Sequence, residues 1–163
     1  MHREVQAFTR GGHDWADRFP AIVQSARRLK APSFLIDGEA MVCRADGLSD
    51  FNALRVGRRA HEVILIAFDL IQLKADDLRD QTLQRRKQRL EKLLARGVDA
   101  ITYNEHFSHD GNAVFAHACR LGLEGIVSKR LDAPYRSGPS KTWLKSKNPL
   151  SEAVRREREE DWR

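Results

Sequence analysis

A chain of 163 residues with 41% hydrophobic and 32% charged side chains is long enough to bury a core and too apolar for general disorder. Its formal charge of +6 fits a polyanionic partner but does not demand one, because many basic domains bind nothing acidic. No run reaches the roughly 18 apolar residues that span a bilayer, and the opening "MHREVQAFTRGGHDW" holds no apolar core of signal-peptide length, so a cytoplasmic protein without a membrane partner is expected.

In chain order, "REVQAFTRGG" predicts a strand over 3–9 running into a Gly-rich turn at Gly11 and Gly12. Pro20 suits a first helical position, and Ile22, Val23, Ala26 and Leu29 form an apolar face that ends before Pro32. "SFLIDGEAMVC" is strand-like yet interrupted by Asp37, Gly38 and Glu39, a local inconsistency that marks either a site or a bulge. "RADGLSD" predicts a turn, with Ser49 or Asp50 capping a short helix through Phe51 and Leu54.

The run 62–73, "EVILIAFDLIQL", has the β-branched and aromatic content of a central strand covered on both faces, with Asp69 standing out in it. Thr82 then opens an amphipathic helix whose Leu83, Leu90, Leu93 and Leu94 face the core, with Gly97 closing it and its lysines and arginines read as a solvated face. A short strand "AITYN" precedes Asp110, which caps a helix through Val114, Phe115, Ala118 and Leu121 closed by Gly122. "EGIVSKR" and "TWLKSK" predict two antiparallel strands, and the nearly apolar-free 151–163 reads as a charged helix or tail beyond a domain over 1–150. Strands and helices mix without regular alternation, so the expected class is α+β, with antiparallel sheets flanked by helices.

The chemistry gathers near the C-terminal end of this pattern. Lys145 and Lys147, one residue apart on a strand, share a face, and two adjacent ammonium groups are most easily reconciled by a phosphate chain; a lysine-guarded edge strand is the alternative. Glu124 beside them makes physical sense if a divalent cation lies between carboxylate and phosphate, although it can instead pair with a basic neighbour. The loop with Tyr135, Arg136, Ser137 and Ser140 can follow a nucleic-acid backbone, and Arg136, Lys141 and Lys129 are the candidate contacts. Phe68 can stack on a base or pack in the core, and Glu39 can accept from a ribose hydroxyl or pair with Arg10. His106 and His109 lie one turn apart with no third metal ligand visible, and Cys43 and Cys119 read as reduced packing residues.

"TRGG" at 9–12, "LIDGE" at 35–39, "AFDL" at 67–70, "EGIVSK" at 124–129 and "WLKSK" at 143–147 resemble, in order, collinear motifs of ATP-dependent DNA ligases. The adenylation domain of the bacterial end-joining group, which acts in DNA repair and recombination, is the nearest likeness, from about Val5 to Asn148. The resemblance implies a nucleotidyltransferase fold, ATP-grasp-like, in which ATP passes AMP to a lysine and then to the 5′-phosphate of nicked double-stranded DNA. It implies ATP and Mg²⁺ as cofactors. Carried over by position, Arg10 is similar to the arginine after the nucleophile, Glu39 to the ribose-binding acid, Phe68 to the base-stacking aromatic and Glu124 to the metal-associated carboxylate. Lys145 and Lys147 resemble the lysines that hold the α-phosphate and assist loss of pyrophosphate; Arg136 resembles a substrate contact.

One motif departs. The ligases carry Lys-x-Asp-Gly upstream of the position of Arg10, whereas only nine residues precede Arg10 here and none is lysine. "KADD" at 74–77 lacks the glycine and follows the base-stacking strand, so it is no substitute. The expectation is therefore a truncated adenylation domain without autonomous enzyme activity, lacking the nucleophile and the OB-type domain. The alternative is a non-catalytic nucleotide- or DNA-binding module that works beside a repair ligase. Missing strands would leave exposed sheet edges, which favours self-association or a complementing polypeptide.

Overall fold

The computed structural model describes residues 4–45, 48–57, 59–151 and 154, and it divides into two compact units, Met1–Glu105 and His106–Arg163. Most of the expected tail at 151–163 thus lies outside the described residues.

The first unit is built on the apolar run seen in the sequence. Ile64–Leu73 forms β2, the centre of a four-stranded sheet: Phe34–Met41 (β1) pairs with it antiparallel, Asp76–Asp77 (β3) pairs antiparallel, and Ile101–Tyr103 (β4) pairs parallel. That parallel pair adds to the antiparallel pairing expected from the sequence. It arises because the helix Leu83–Leu94 (α3) lies between β2 and β4 in the chain and packs on both strands, as a crossover connection does. Pro20–Arg28 (α1), with Pro20 at its first turn, contributes Ile22 and Ala26, joined by the Leu29 that follows it, to one core cluster with Val63, Ala67 and Leu70 of the β2 region, Leu90 and Leu94 of α3, and Ile101 of β4. Asp50 caps the short helix Phe51–Val56 (α2) by accepting from Ala53 N at 2.9 Å, and Thr82 caps α3 through Arg85 N.

Two expectations fail here for physical reasons. The strand expected over 3–9 is reduced, among the described residues, to one bridge between Phe8 and Asp14, because the turn at Thr9–His13 closes at once. The basic residues of α3 are not all solvated: Arg86 and Lys87 are buried. Arg86 forms a bidentate pair with the buried Asp69, Nε to Oδ1 at 2.7 Å and Nη2 to Oδ2 at 2.9 Å, which explains the acid inside the apolar run.

The second unit joins the helix Gly111–Arg120 (α4), capped by Asp110 through Ala113 N, to the antiparallel pair Gly125–Lys129 (β5) and Trp143–Lys147 (β6). Glu124 stands just before β5 instead of inside it. Among the described residues no helix is long and apolar enough to cross a membrane.

Candidate functional site

In the first unit three candidate residues lie on the turn and the β1–β2 ladder. Arg10 is exposed at the tip of a turn in which Gly12 N donates to Thr9 O and Thr9 N to His13 O, both at 2.9 Å. Gly12 takes φ 82°, a conformation that an L side chain rarely adopts. Asp14 Oδ1 accepts from Ala7 N and Ala16 N, so the loop is tied at its base while Arg10 stays outside.

Glu39 is exposed on β1 opposite Ile66. Its neighbour Gly38 explains the break in the sequence pattern: a Cβ there would sit 2.8 Å from Ile66 O and from Leu65 Cδ1, so the strands approach too closely for a side chain. Next to this contact the register steps from Asp37↔Asp69 to Gly38↔Ala67, which makes Phe68 the extra residue of a β-bulge. Ala67 and Asp69 on either side are buried, whereas Phe68 is only half-buried. A bulge re-aims a side chain, and here it sets Phe68, half-buried, between two buried neighbours.

In the second unit the register decides what shares a face. Gly125↔Lys147, Val127↔Lys145 and Lys129↔Trp143 are direct partners, so Lys145, Lys147 and Lys129 stand on the same side of the strand pair as Trp143. Lys145 and Lys147 are exposed, and Lys129 Nζ lies 3.8 Å from the centroid of the Trp143 ring. Gly125 has φ 148°, and a Cβ on it would fall 2.0 Å from Ser146 O; only glycine lets β5 reach β6 at this rung. Glu124, exposed, sits directly before it and its carbonyl accepts from Asn148 N at 2.7 Å. The ladder thus brings Glu124 to the rung beside Lys147.

Asn148 was not singled out in the sequence. It is buried, its Nδ2 donates to Leu123 O at 2.9 Å and its Oδ1 accepts from Leu150 N at 3.0 Å, which clamps the end of β6 to the start of β5. The Asn-Pro dipeptide at 148–149 was the available turn signal. In the β5–β6 connection Arg130 pairs with Asp132, Nη2 to Oδ2 at 2.7 Å, and holds that carboxyl below the usual range. Arg136 and Lys141 are exposed.

The described residues hold no group of three or more His, Cys, Asp or Glu able to hold a metal ion. Cys43 and Cys119 are free and half-buried.

Residues 1–147 match the family described as ATP dependent DNA ligase domain. The "Multifunctional non-homologous end joining protein LigD" of Pseudomonas aeruginosa is 37% identical over 150 residues, 90% of this chain and 18% of that protein. A "Probable DNA ligase" of Sorangium cellulosum is 32% identical over 156 residues, 88% of this chain and 29% of that protein. Among solved structures, the ligase domain from M. tuberculosis LigD superposes with a TM-score of 0.77 at 30% identity, covering 90% of this chain and 48% of that one. A mycobacterial DNA ligase D complexed with ATP and MES gives 0.75 at 29%, with the same coverage. The chain spans under a third of these two curated relatives and about half of the solved ligase domains it matches.

Proposed function

Because this chain belongs to the family of ATP-dependent DNA ligase domains, we infer that it binds ATP with Mg²⁺ and serves adenylyl transfer to nicked double-stranded DNA. In the first unit Phe68 stacks on adenine, Glu39 accepts from a ribose hydroxyl and Arg10 contacts phosphate. In the second, Lys145 and Lys147 donate to the α-phosphate, where they offset charge that builds as pyrophosphate leaves. Glu124, together with phosphate oxygens, would hold Mg²⁺, which would supply further charge neutralisation there. Arg136, Lys141 and Lys129 take the nucleic-acid backbone.

The observation that carries this reading is the β5–β6 register. It leaves Lys145 and Lys147 exposed on one face, Lys147 at the rung opposite Gly125 that glycine alone permits and Lys145 opposite Val127. Two like charges on one face repel, and a polyphosphate is the ligand that turns the repulsion into binding.

A finer part of the reading concerns chemistry. The 163 residues contain no Lys-x-Asp-Gly, so these residues alone leave AMP untransferred while still binding the nucleotide. Among the described residues β5 and β6 each have one neighbour in their sheet, so a complementing polypeptide or a second copy of the chain is the partner this reading supplies for the outer edges. Photo-crosslinking with azido-ATP in Mg²⁺, followed by peptide mapping, tests the nucleotide reading. Label on the β2 peptide that carries Phe68, competed by ATP, supports it; no competable label overturns it. Denaturing electrophoresis after incubation with labelled ATP is expected to show no covalent AMP, and a labelled band would overturn the finer part.

A further inference from the structure

A buried lysine needs a reason, because desolvation penalises its charge. Lys87 of α3 is buried, its pKa is held below the ordinary lysine value by that burial, and Asp69 is already satisfied by both arms of Arg86. Neutralising Asp69 is therefore not what Lys87 is needed for. Its ammonium instead donates to Asn104 O at 2.8 Å and lies 4.6 Å from the centroid of the Tyr103 ring.

Asn104 is the residue after β4, and its N donates to Ala67 O at 2.8 Å, continuing the parallel ladder one step past Ala67↔Tyr103. Ala67 in turn faces Gly38 across the sheet and precedes Phe68, the extra residue of the bulge. One residue, Asn104, is thus held by Lys87 through its carbonyl and holds the entrance to the bulge through its N–H. A bulge places its extra residue outside the regular pairing, so its setting depends on the ladder bonds beside it.

We propose that Lys87 is a positioning residue for the nucleotide: by clamping Asn104 it fixes the carbonyl of Ala67 and so the setting of the Phe68 bulge. The proposal rests on the nucleotide reading above. It gives Lys87 no contact with ligand.

The test is a double-substitution cycle read by calorimetry on the 163-residue chain with Mg²⁺. Lys87→Met is expected to weaken ATP binding by about 3- to 30-fold, the usual range for coupling through packed neighbours. In a Phe68→Ala background the same change is expected to move ATP affinity less than about twofold, because the group it positions is gone. Inorganic tripolyphosphate, which has no base to stack, is expected to bind Lys87→Met and wild type alike, and Lys87→Arg is expected to restore most of the ATP affinity. Circular dichroism checks the fold of each variant; Lys87→Gln replaces Lys87→Met if the latter does not fold. Equal loss in both backgrounds, loss of tripolyphosphate binding in parallel, or no loss at all overturns the proposal alone. A wild-type chain that binds tripolyphosphate but not ATP overturns both this inference and the nucleotide reading.

Discussion

Asp69 and Arg86 meet as an ion pair with both side chains fully buried, and the pair is saturated: Arg86 Nη1 also donates to Gln81 O at 2.5 Å, and Asp69 Oδ1 also accepts from Leu70 N at 2.8 Å. The arrangement ties α3 to the central strand two residues from Ala67 and next to Phe68. Removing one partner strands a charge without solvent, so Arg86→Met or Asp69→Leu alone is expected to cost about 3–5 kcal/mol. The joint replacement by apolar residues is expected to recover much of that loss. Urea unfolding of the two single variants and the double variant measures it, and a double variant as unstable as the sum would contradict this view of the pair.

Gly125→Ala tests the close rung of the second unit. The added Cβ meets Ser146 O at 2.0 Å in a backbone conformation hostile to L residues, so the strain alone is expected to cost upwards of about 1–3 kcal/mol. Hydrogen exchange of the β5 and β6 amides is expected to quicken while the amides of β2 keep their protection. Unchanged exchange at Val127 and Lys145 would show that the rung tolerates a side chain.

In the alternative reading, a non-catalytic DNA-binding module whose lysine pair meets the duplex itself, replacing Lys145 and Lys147 together by Ala is expected to weaken binding to a nicked duplex and to flatten its dependence on salt. Loss of up to two phosphate contacts lowers the slope of log K against log salt by about 1–2. Fluorescence anisotropy over a salt series reads both quantities. A parallel drop in affinity with an unchanged slope would place the lysines away from phosphate.

Lys87 also gives stability a pH signature. Its folded pKa is depressed by burial below the ordinary 10.5, so between the two values the unfolded chain binds more protons. The contribution is therefore fully present above 10.5 and is lost as the pH falls through the depressed value. The stability of wild type minus that of Lys87→Met is expected to rise with pH across that window, as denaturant unfolding at several pH values will show; a flat or falling difference would mean that burial does not govern this group.

Local signals carried much of the fold. Pro20, Asp50, Thr82 and Asp110 announce helix starts through capping chemistry that needs only neighbours in the chain, and all four stand where that chemistry puts them. The alternation in "TWLKSK" likewise placed Lys145 and Lys147 on one face before the register was known. What stayed hidden depends on long-range partners. Arg86 reads as one more surface charge until Asp69 is placed 17 residues away in sequence beside it, and Lys87 until Asn104 is. The bulge at Phe68 is a property of two strands, visible in one only as the odd sequence Asp37-Gly38-Glu39. β4, three residues long, holds too little pattern to say that it runs parallel to β2.

Calorimetric titration of ATP and Mg²⁺ into the 163-residue chain, into Phe68→Ala and into the Lys145→Ala/Lys147→Ala variant is the most direct measurement. The expected result is saturable binding by wild type, weakened at least about tenfold by either change, since a stacked base or a pair of charge-assisted hydrogen bonds is worth well over 1 kcal/mol. No saturable binding by the folded wild-type chain, or binding indifferent to both changes, would contradict the assignment of these residues to an adenine nucleotide.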